Sequence, residues 1–247
     1  MDAAERRAAL ASLEIVEWTP RVVAPQSPTM DVGVSIPSSA SVQGRLAIPE
    51  TTADVGQLDW TALRARVDAC RACELCQTRT QTVFGVGDHS ARLLIVGEAP
   101  GAEEDRLGEP FVGPAGRLLD EMLRAIGLQR QQVYICNILK CRPPRNADPT
   151  PAQAAACRPY LERQIALIAP QLILAVGRIA AQNLLQIGTP IGRLRGQCHS
   201  IQIGEAGGRV PVWVTYHPAY LLRSPREKAR AWDDLKAVRR SLETERP

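Results

Sequence analysis

Apolar positions along the chain change their pattern near residue 59. Upstream, Leu10 and Leu13 sit at helical spacing and predict a short amphipathic helix within the first 21 residues. From Val22 to Pro49 there is neither helical nor strand periodicity. Asp31 and Arg45 are its only charges, and Pro25, Pro28, Pro37 and Pro49 punctuate it, so it reads as a flexible linker. Downstream, four short apolar runs have the length and branching of buried strands: Leu93–Val96, Val133–Ile138, Leu172–Val176 and Val212–Tyr216. Around them lie helical patterns at Trp60–Ala72, Gly116–Ile126, Pro151–Ile168, Ile179–Leu185 and Ala229–Leu242. Alternating α and β segments with near-continuous apolar strands predict a parallel sheet covered on both faces. The chain therefore divides into an N-terminal extension, residues 1–58, and an α/β domain, residues 59–247.

Composition bounds the function only loosely. A hydrophobic content of 45% against 23% charged residues is that of a globular chain. No apolar run reaches the roughly 18 residues needed to span a bilayer, and the mixed charges of the first residues exclude a secretory signal. A cytoplasmic protein is expected. The net charge of +4 does not by itself announce nucleic acid, but its distribution is uneven. Glu98–Glu121 carries seven acidic and two basic residues, whereas Pro190–Arg230 carries seven basic and two acidic. Such asymmetry suits a polyanion on one side of the molecule, although solvated helix faces would give the same count.

The residues just beyond each strand bear more directly on chemistry. The first strand runs into Gly97-Glu98-Ala99-Pro100-Gly101, and the second ends near Asn137. The third is succeeded by Gly177 and the fourth by His217-Pro218. Ligands of open α/β sheets bind beyond the carboxyl ends of the strands, so a carboxylate, an amide and an imidazole gather in one crevice. The Gly97–Gly101 loop matches neither dinucleotide nor Walker glycine patterns, and the acidic Glu103-Glu104-Asp105 next to it would repel phosphate. Phe111, in a Gly- and Pro-rich loop, is either core or a face for a planar ring. In His217-Pro218-Ala219-Tyr220-Leu221-Leu222-Arg223, the leucines are core or a wedge, and Arg223 is placed to hold a phosphate.

Seven cysteines in such a chain are not a disulfide framework. Cys70 and Cys73 form a C-x-x-C pair, and Cys141 and Cys157 flank a Pro-rich loop. Two pairs of thiolates fit tetrahedral zinc or an iron–sulfur cluster equally well. Cys76 extends the first pair toward a ferredoxin-like run, while Cys136 and Cys198 read as bystanders.

Together, GEAPG at Gly97–Gly101, PFVG at Pro110–Gly113, Asn137 in NILKCRPP and HPAYLLR at His217–Arg223 resemble the family 4 uracil-DNA glycosylases. The resemblance covers about Leu63 to Leu242. It implies a three-layer α/β/α sandwich around a central four-stranded parallel sheet. It also implies a structural [4Fe–4S] cluster on Cys70, Cys73, Cys141 and Cys157, with Cys76 outside the ligand set. Glu98 in the first motif separates the chain from family 5 relatives. The direct run from Asn137 into Arg142-Pro143-Pro144 lacks the basic insertion of a suicidal relative that cross-links to DNA.

The reaction implied is monofunctional: removal of uracil from DNA by hydrolysis of the N-glycosidic bond. By the resemblance, Phe111 stacks on the flipped base, Asn137 reads its edge, His217 donates to O2, and Glu98 positions water or stabilises the sugar cation. Glu104 and Asn146 shape the pocket, and Ala99 sits where pocket width would alter base choice. Leu221 and Leu222 fill the gap left in the duplex, beside Arg223. A monomer acting on single- or double-stranded uracil-containing DNA is expected, with residues 1–58 either a tether or a site for a replication or repair partner. The rival readings are a non-catalytic iron–sulfur module that recognises uracil or repair partners, and a metal-bearing scaffold with no DNA role.

Overall fold

The computed structural model describes residues 55–203 and 208–244. The expected N-terminal helix and the linker lie outside the described residues. Asp59 caps the first helix, α1 (Trp60–Asp68), by accepting from the Ala62 N–H at 2.8 Å. The helix stops short of the expected Ala72, which leaves Cys70 and Cys73 in the irregular segment after it. Then come β1 (Val86–Gly87), β2 (Leu93–Gly97), α2 (Ala102–Leu107), α3 (Pro114–Ala125) and β3 (Tyr134–Asn137). The second half holds α4 (Pro151–Ile168), β4 (Leu172–Val176), α5 (Arg178–Leu185), α6 (Ile191–Leu194), β5 (His199–Gln202), β6 (Arg209–Thr215), α7 (Pro218–Arg223) and α8 (Lys228–Thr244).

The sheet corrects the expectation of four parallel strands. It is a mixed sheet of six, in the order β1-β3-β2-β4-β6-β5. The four apolar runs form its parallel centre, and β1 and β5 pair antiparallel on its two edges. Neither edge strand had a sequence signal. Two residues are too few for β1 to show a period, and β5 is the polar run His-Ser-Ile-Gln with alternate residues exposed. Pairing with β5 also draws β6 back to Arg209, three residues before the apolar run begins.

Three layers are present nonetheless. Alternate residues of the central strands face opposite ways, as a pleat requires. Leu94, Val96, Cys136, Ile173, Ala175, Val212 and Val214 meet α4 and α5 on one face. Leu93, Ile95, Ile135, Leu172, Leu174 and Val176 meet α3, α7 and α8 on the other. A smaller cluster of Leu63, Val67, Phe84 and Tyr160 seats α1 against α4. Burial on both faces explains why the central strands read as unbroken apolar runs.

Candidate active site

The carboxyl ends of β2, β3 and β6 open into a crevice of about 410 Å³ lined by Glu98, Ala99, Glu104, Phe111, Asn137, Asn146, His217 and Arg223. The site is therefore assembled from segments more than a hundred residues apart. Asn137 closes β3 and is 2% exposed, and its Oδ1 has no hydrogen-bond partner. An unpaired buried amide oxygen carries a desolvation cost of about 1–3 kcal/mol unless a ligand meets it. A Cβ at Gly97 would lie 2.4 Å from that oxygen and 2.6 Å from Phe111 Cζ, so only glycine lets the amide and the ring approach together.

Phe111 is held in a backbone conformation that a bulky residue rarely adopts, with φ of 54°. Its loop is fastened from three sides. Glu104 Oε1 accepts from the Val112 and Gly113 N–H groups at 3.0 and 3.2 Å, while Oε2 accepts from Gly101 N–H at 3.1 Å. Arg130, paired with Asp120 at 3.2 Å, donates to the Pro110 and Phe111 carbonyls. Gly116 lies so close that a Cβ there would collide with the Phe111 carbonyl at 1.8 Å.

Across the crevice, the His217 ring stands 5.6 Å from that of Phe111 at an interplanar angle of 29°. Its Nδ1 accepts from the Ala219 N–H at 3.2 Å, which assigns the ring proton to Nε2. Burial, with Arg223 nearby, depresses the His217 pKa to about 4 against an opposing pull from Glu104, so the imidazole is neutral at physiological pH. Glu98 is shifted the opposite way. Burial and the charge of Asp148 raise its pKa to about 7, and Arg178 opposes the rise. Asp148 and Arg178 themselves form an ion pair at 2.5 Å.

On the α4 face of the sheet, Cys70, Cys73, Cys76, Cys141 and Cys157 line one small pocket with Arg79 and Lys140. Arg79 donates to Cys141 Sγ at 3.0 Å and to the Cys70 carbonyl at 2.8 Å. Burial pushes the Cys157 thiol up to about 12 and raises those of Cys73 and Cys141. Among the described residues, no three His, Cys, Asp or Glu side chains draw close enough to hold a metal ion.

Residues 84–236 match the model of the uracil DNA glycosylase superfamily. The chain is 47% identical over 174 residues to the type-4 uracil-DNA glycosylase of Archaeoglobus fulgidus, covering 69% of this chain and 86% of that one. It is 40% identical over 182 residues to the Pyrobaculum aerophilum type-4 enzyme, covering 72% and 92%, and 46% identical over 160 residues to that of Thermotoga maritima, covering 64% and 81%. The chain belongs to the type-4 family of this superfamily.

Of the residues that the sequence singled out, the fold brings Glu98, Ala99, Glu104, Phe111, Asn137, Asn146, His217 and Arg223 together. It separates the two leucines. Leu221 is 1% exposed and belongs to the core under α7, whereas Leu222 stands 44% exposed. Of the two, only Leu222 reaches solvent, because the last turn of α7 turns adjacent side chains apart. Cys76, set aside from the sequence, joins the other four thiols. Arg79, Arg130, Asp148, Arg178 and Lys140 were missed. Asp148, two residues after Asn146, was within reach of a loop-based reading, whereas nothing local marks Arg130 as the brace of a loop twenty residues away.

Proposed function

We propose that the crevice takes an extrahelical deoxyuridine, and that Asn137, Phe111, His217 and Glu98 divide its recognition and cleavage among them. Family membership makes the chain a hydrolase that releases uracil from DNA, leaving an abasic site. The observation that carries the division of labour is the unpartnered Asn137 Oδ1, buried beside Phe111 and facing the crevice that His217 closes.

Extruding the base costs a few kcal/mol of stacking and pairing. Exposed Leu222 fills the vacated space, and Arg223 meets the backbone phosphate beside it. The uracil ring lies against Phe111. Asn137 Oδ1 accepts from N3–H while its Nδ2 donates to O4, a pattern that uracil satisfies. Cytosine offers an acceptor at N3 and a donor at C4, so both bonds fail and two buried polar groups are left unpaired. Asn146 and Ala99 bound the pocket around the ring.

Breaking the C1′–N1 bond leaves the electron pair on uracil and positive charge on the sugar. A neutral imidazole whose Nε2–H points at O2 stabilises the oxygen as negative charge develops there, more than it does the ground-state carbonyl. Water completes the reaction at C1′. A carboxyl with a pKa of about 7 is matched to taking that water's proton at neutral pH, and as an anion Glu98 also offsets the sugar's charge.

Cys70, Cys73, Cys141 and Cys157 would hold a [4Fe–4S] cluster. Five thiols around one pocket, braced by Arg79 and Lys140, support that donor set. Four thiolates that each bind a different iron would be the ligand set of such a cluster. When bound, the cluster supplies a structural cross-link between the segment after α1 and the β3–α4 loop that carries Asn146. No helix among the described residues is long and apolar enough to cross a membrane, and a DNA substrate supports a cytoplasmic, nucleoid-associated enzyme. The family match begins at residue 84, in keeping with residues 1–58 as an extension appended to a glycosylase domain at 59–247. A tethering role and a repair-partner role both fit that extension.

The test is scission of an end-labelled oligonucleotide carrying one deoxyuridine, treated with the protein and then with hot alkali. One break at the uracil position, absent from a thymine control, is expected. Retained DNA binding without a break would make the chain a recognition module instead.

A further inference from the structure

Lys140 is 1% exposed, one of the largest side chains sealed inside the molecule, and the expected mechanism gives it no task. Its Nζ donates to the main-chain carbonyl of Asn137 at 2.9 Å and to Gln164 Oε1 at 2.6 Å. Both acceptors are neutral, so the ammonium is not ion-paired through them. Gln164, itself fully buried on α4, is fixed in turn: its Nε2 donates to the Phe84 carbonyl at 2.9 Å and meets the Tyr134 hydroxyl at 3.4 Å. The amide therefore presents its oxygen to Lys140 and its nitrogen to the β1 side of the sheet.

Two features make this more than space-filling. Burying an ammonium is costly unless hydrogen bonds and nearby negative charge compensate it. Burial works against the charged form of Lys140, and the side chain also lines the cysteine pocket beside Cys141 and Cys157. At the other end, the accepted carbonyl is that of the last β3 residue, where the chain leaves the sheet. The preceding strand cannot fix it further: its N–H groups at this level serve the β2–β3 ladder and the Ile138 and Leu139 N–H groups return to Gly97 and Glu98.

We propose that Lys140 is a positioning residue that ties Asn137 to the cysteine site. It clamps the turn from Asn137 to Cys141, setting the direction of the uracil-reading amide from a position on the wall of the cysteine pocket. The inference rests on the reading of Asn137 as the residue that recognises uracil. It makes occupancy of the cysteine site felt at the base pocket through one side chain rather than through the fold at large.

The experiment compares holoprotein variants Lys140→Met, Gln164→Met and Asn137→Ala with the parent. Three quantities are read: iron per chain, inhibition by free uracil, and kcat and KM on a deoxyuridine oligonucleotide. Outer-shell partners of a site typically contribute about 10–100-fold, so Lys140→Met should weaken uracil inhibition and lower kcat by that order, with the KM for DNA little changed. Its iron should also be lost faster to a chelator. Gln164→Met, which keeps the Lys140 side chain beside the cysteines, should reproduce a smaller loss of uracil affinity with iron retained. Parent-like uracil inhibition in either variant, with iron bound, overturns the proposal. Should Lys140→Met fail to fold, Gln164→Met alone decides. Asn137→Ala separates the two layers: unchanged uracil inhibition there would overturn the reading of Asn137, and the Lys140 proposal with it.

Discussion

The crevice and the cysteine pocket lie at the two ends of one short segment, Asn137 to Cys141, yet they are built on opposite terms. The crevice is open, about 410 Å³, and keeps an unsatisfied amide oxygen and a strained aromatic residue. The cysteine pocket has about 10 Å³ of free space; Arg79 braces it through Cys141 and Cys70, and Lys140 lines it. One region is prepared for a ligand that enters and leaves, and its unmet polar groups find partners only then. The other is small and lined by thiols. Strain at Phe111 is held by Glu104 and Arg130, and the unpartnered Asn137 amide sits on a paired strand end, so the backbone that carries them is over-determined.

The contrast breaks most visibly at the two polar groups facing the base. His217→Ala and Asn137→Ala should each lower single-turnover excision by about 10²–10³-fold, the usual cost of one donor to a developing anion, while thermal unfolding stays near that of the parent. Fast excision by either variant would empty the crevice of its assigned chemistry. Cys141→Ser probes the opposite region. Loss of iron should bring a drop in Tm and, through the turn that Lys140 clamps, weaker inhibition by free uracil as chelator is titrated.

The α7 leucines sharpen the comparison between surface and core. Leu221→Ala should cost about 2–5 kcal/mol of stability, measurable by denaturant unfolding, since it empties a buried site. Leu222→Ala should leave stability unchanged and slow excision from duplex more than from single-stranded DNA. Equal effects of the two on stability would refute the separation.

The smallest effects are those of pH. Burial holds the Glu98 proton more tightly in the folded chain, so its contribution to stability is full below the ordinary carboxylate range and is lost as pH rises through about 7. Glu98→Gln should therefore raise Tm on the alkaline side of 7 and not in acid. The same substitution should erase the acid limb of kcat near 7 that ionised Glu98 imposes. His217 has the opposite sign. Its contribution is full above the ordinary histidine range and is lost as pH falls toward about 4, so it adds no limb near neutrality.

Much of the crevice was legible because residues that line it come directly after strands whose apolar runs announce themselves. Glu98, Asn137 and His217 each stand at such a strand end, and parallel pairing necessarily brings those ends together. The brace of the Phe111 loop was not legible. Arg130 and Asp120 are ordinary charged residues whose partners are main-chain carbonyls and a side chain on another element. Lys140 was hidden for a similar reason, since its neighbours Leu139 and Cys141 do not say whether it points to water or inward.

Local patterning was enough to specify the parallel centre of the sheet, the family and the set of polar groups that the crevice gathers, because periodicity and motif spacing are local. Long-range packing settled the two antiparallel edges, the fates of Leu221 and Leu222, the opposite pKa shifts of Glu98 and His217, and the inward turn of Lys140. Edge pairing, burial and desolvation depend on what a distant segment places beside a residue, and no window of sequence contains that neighbour.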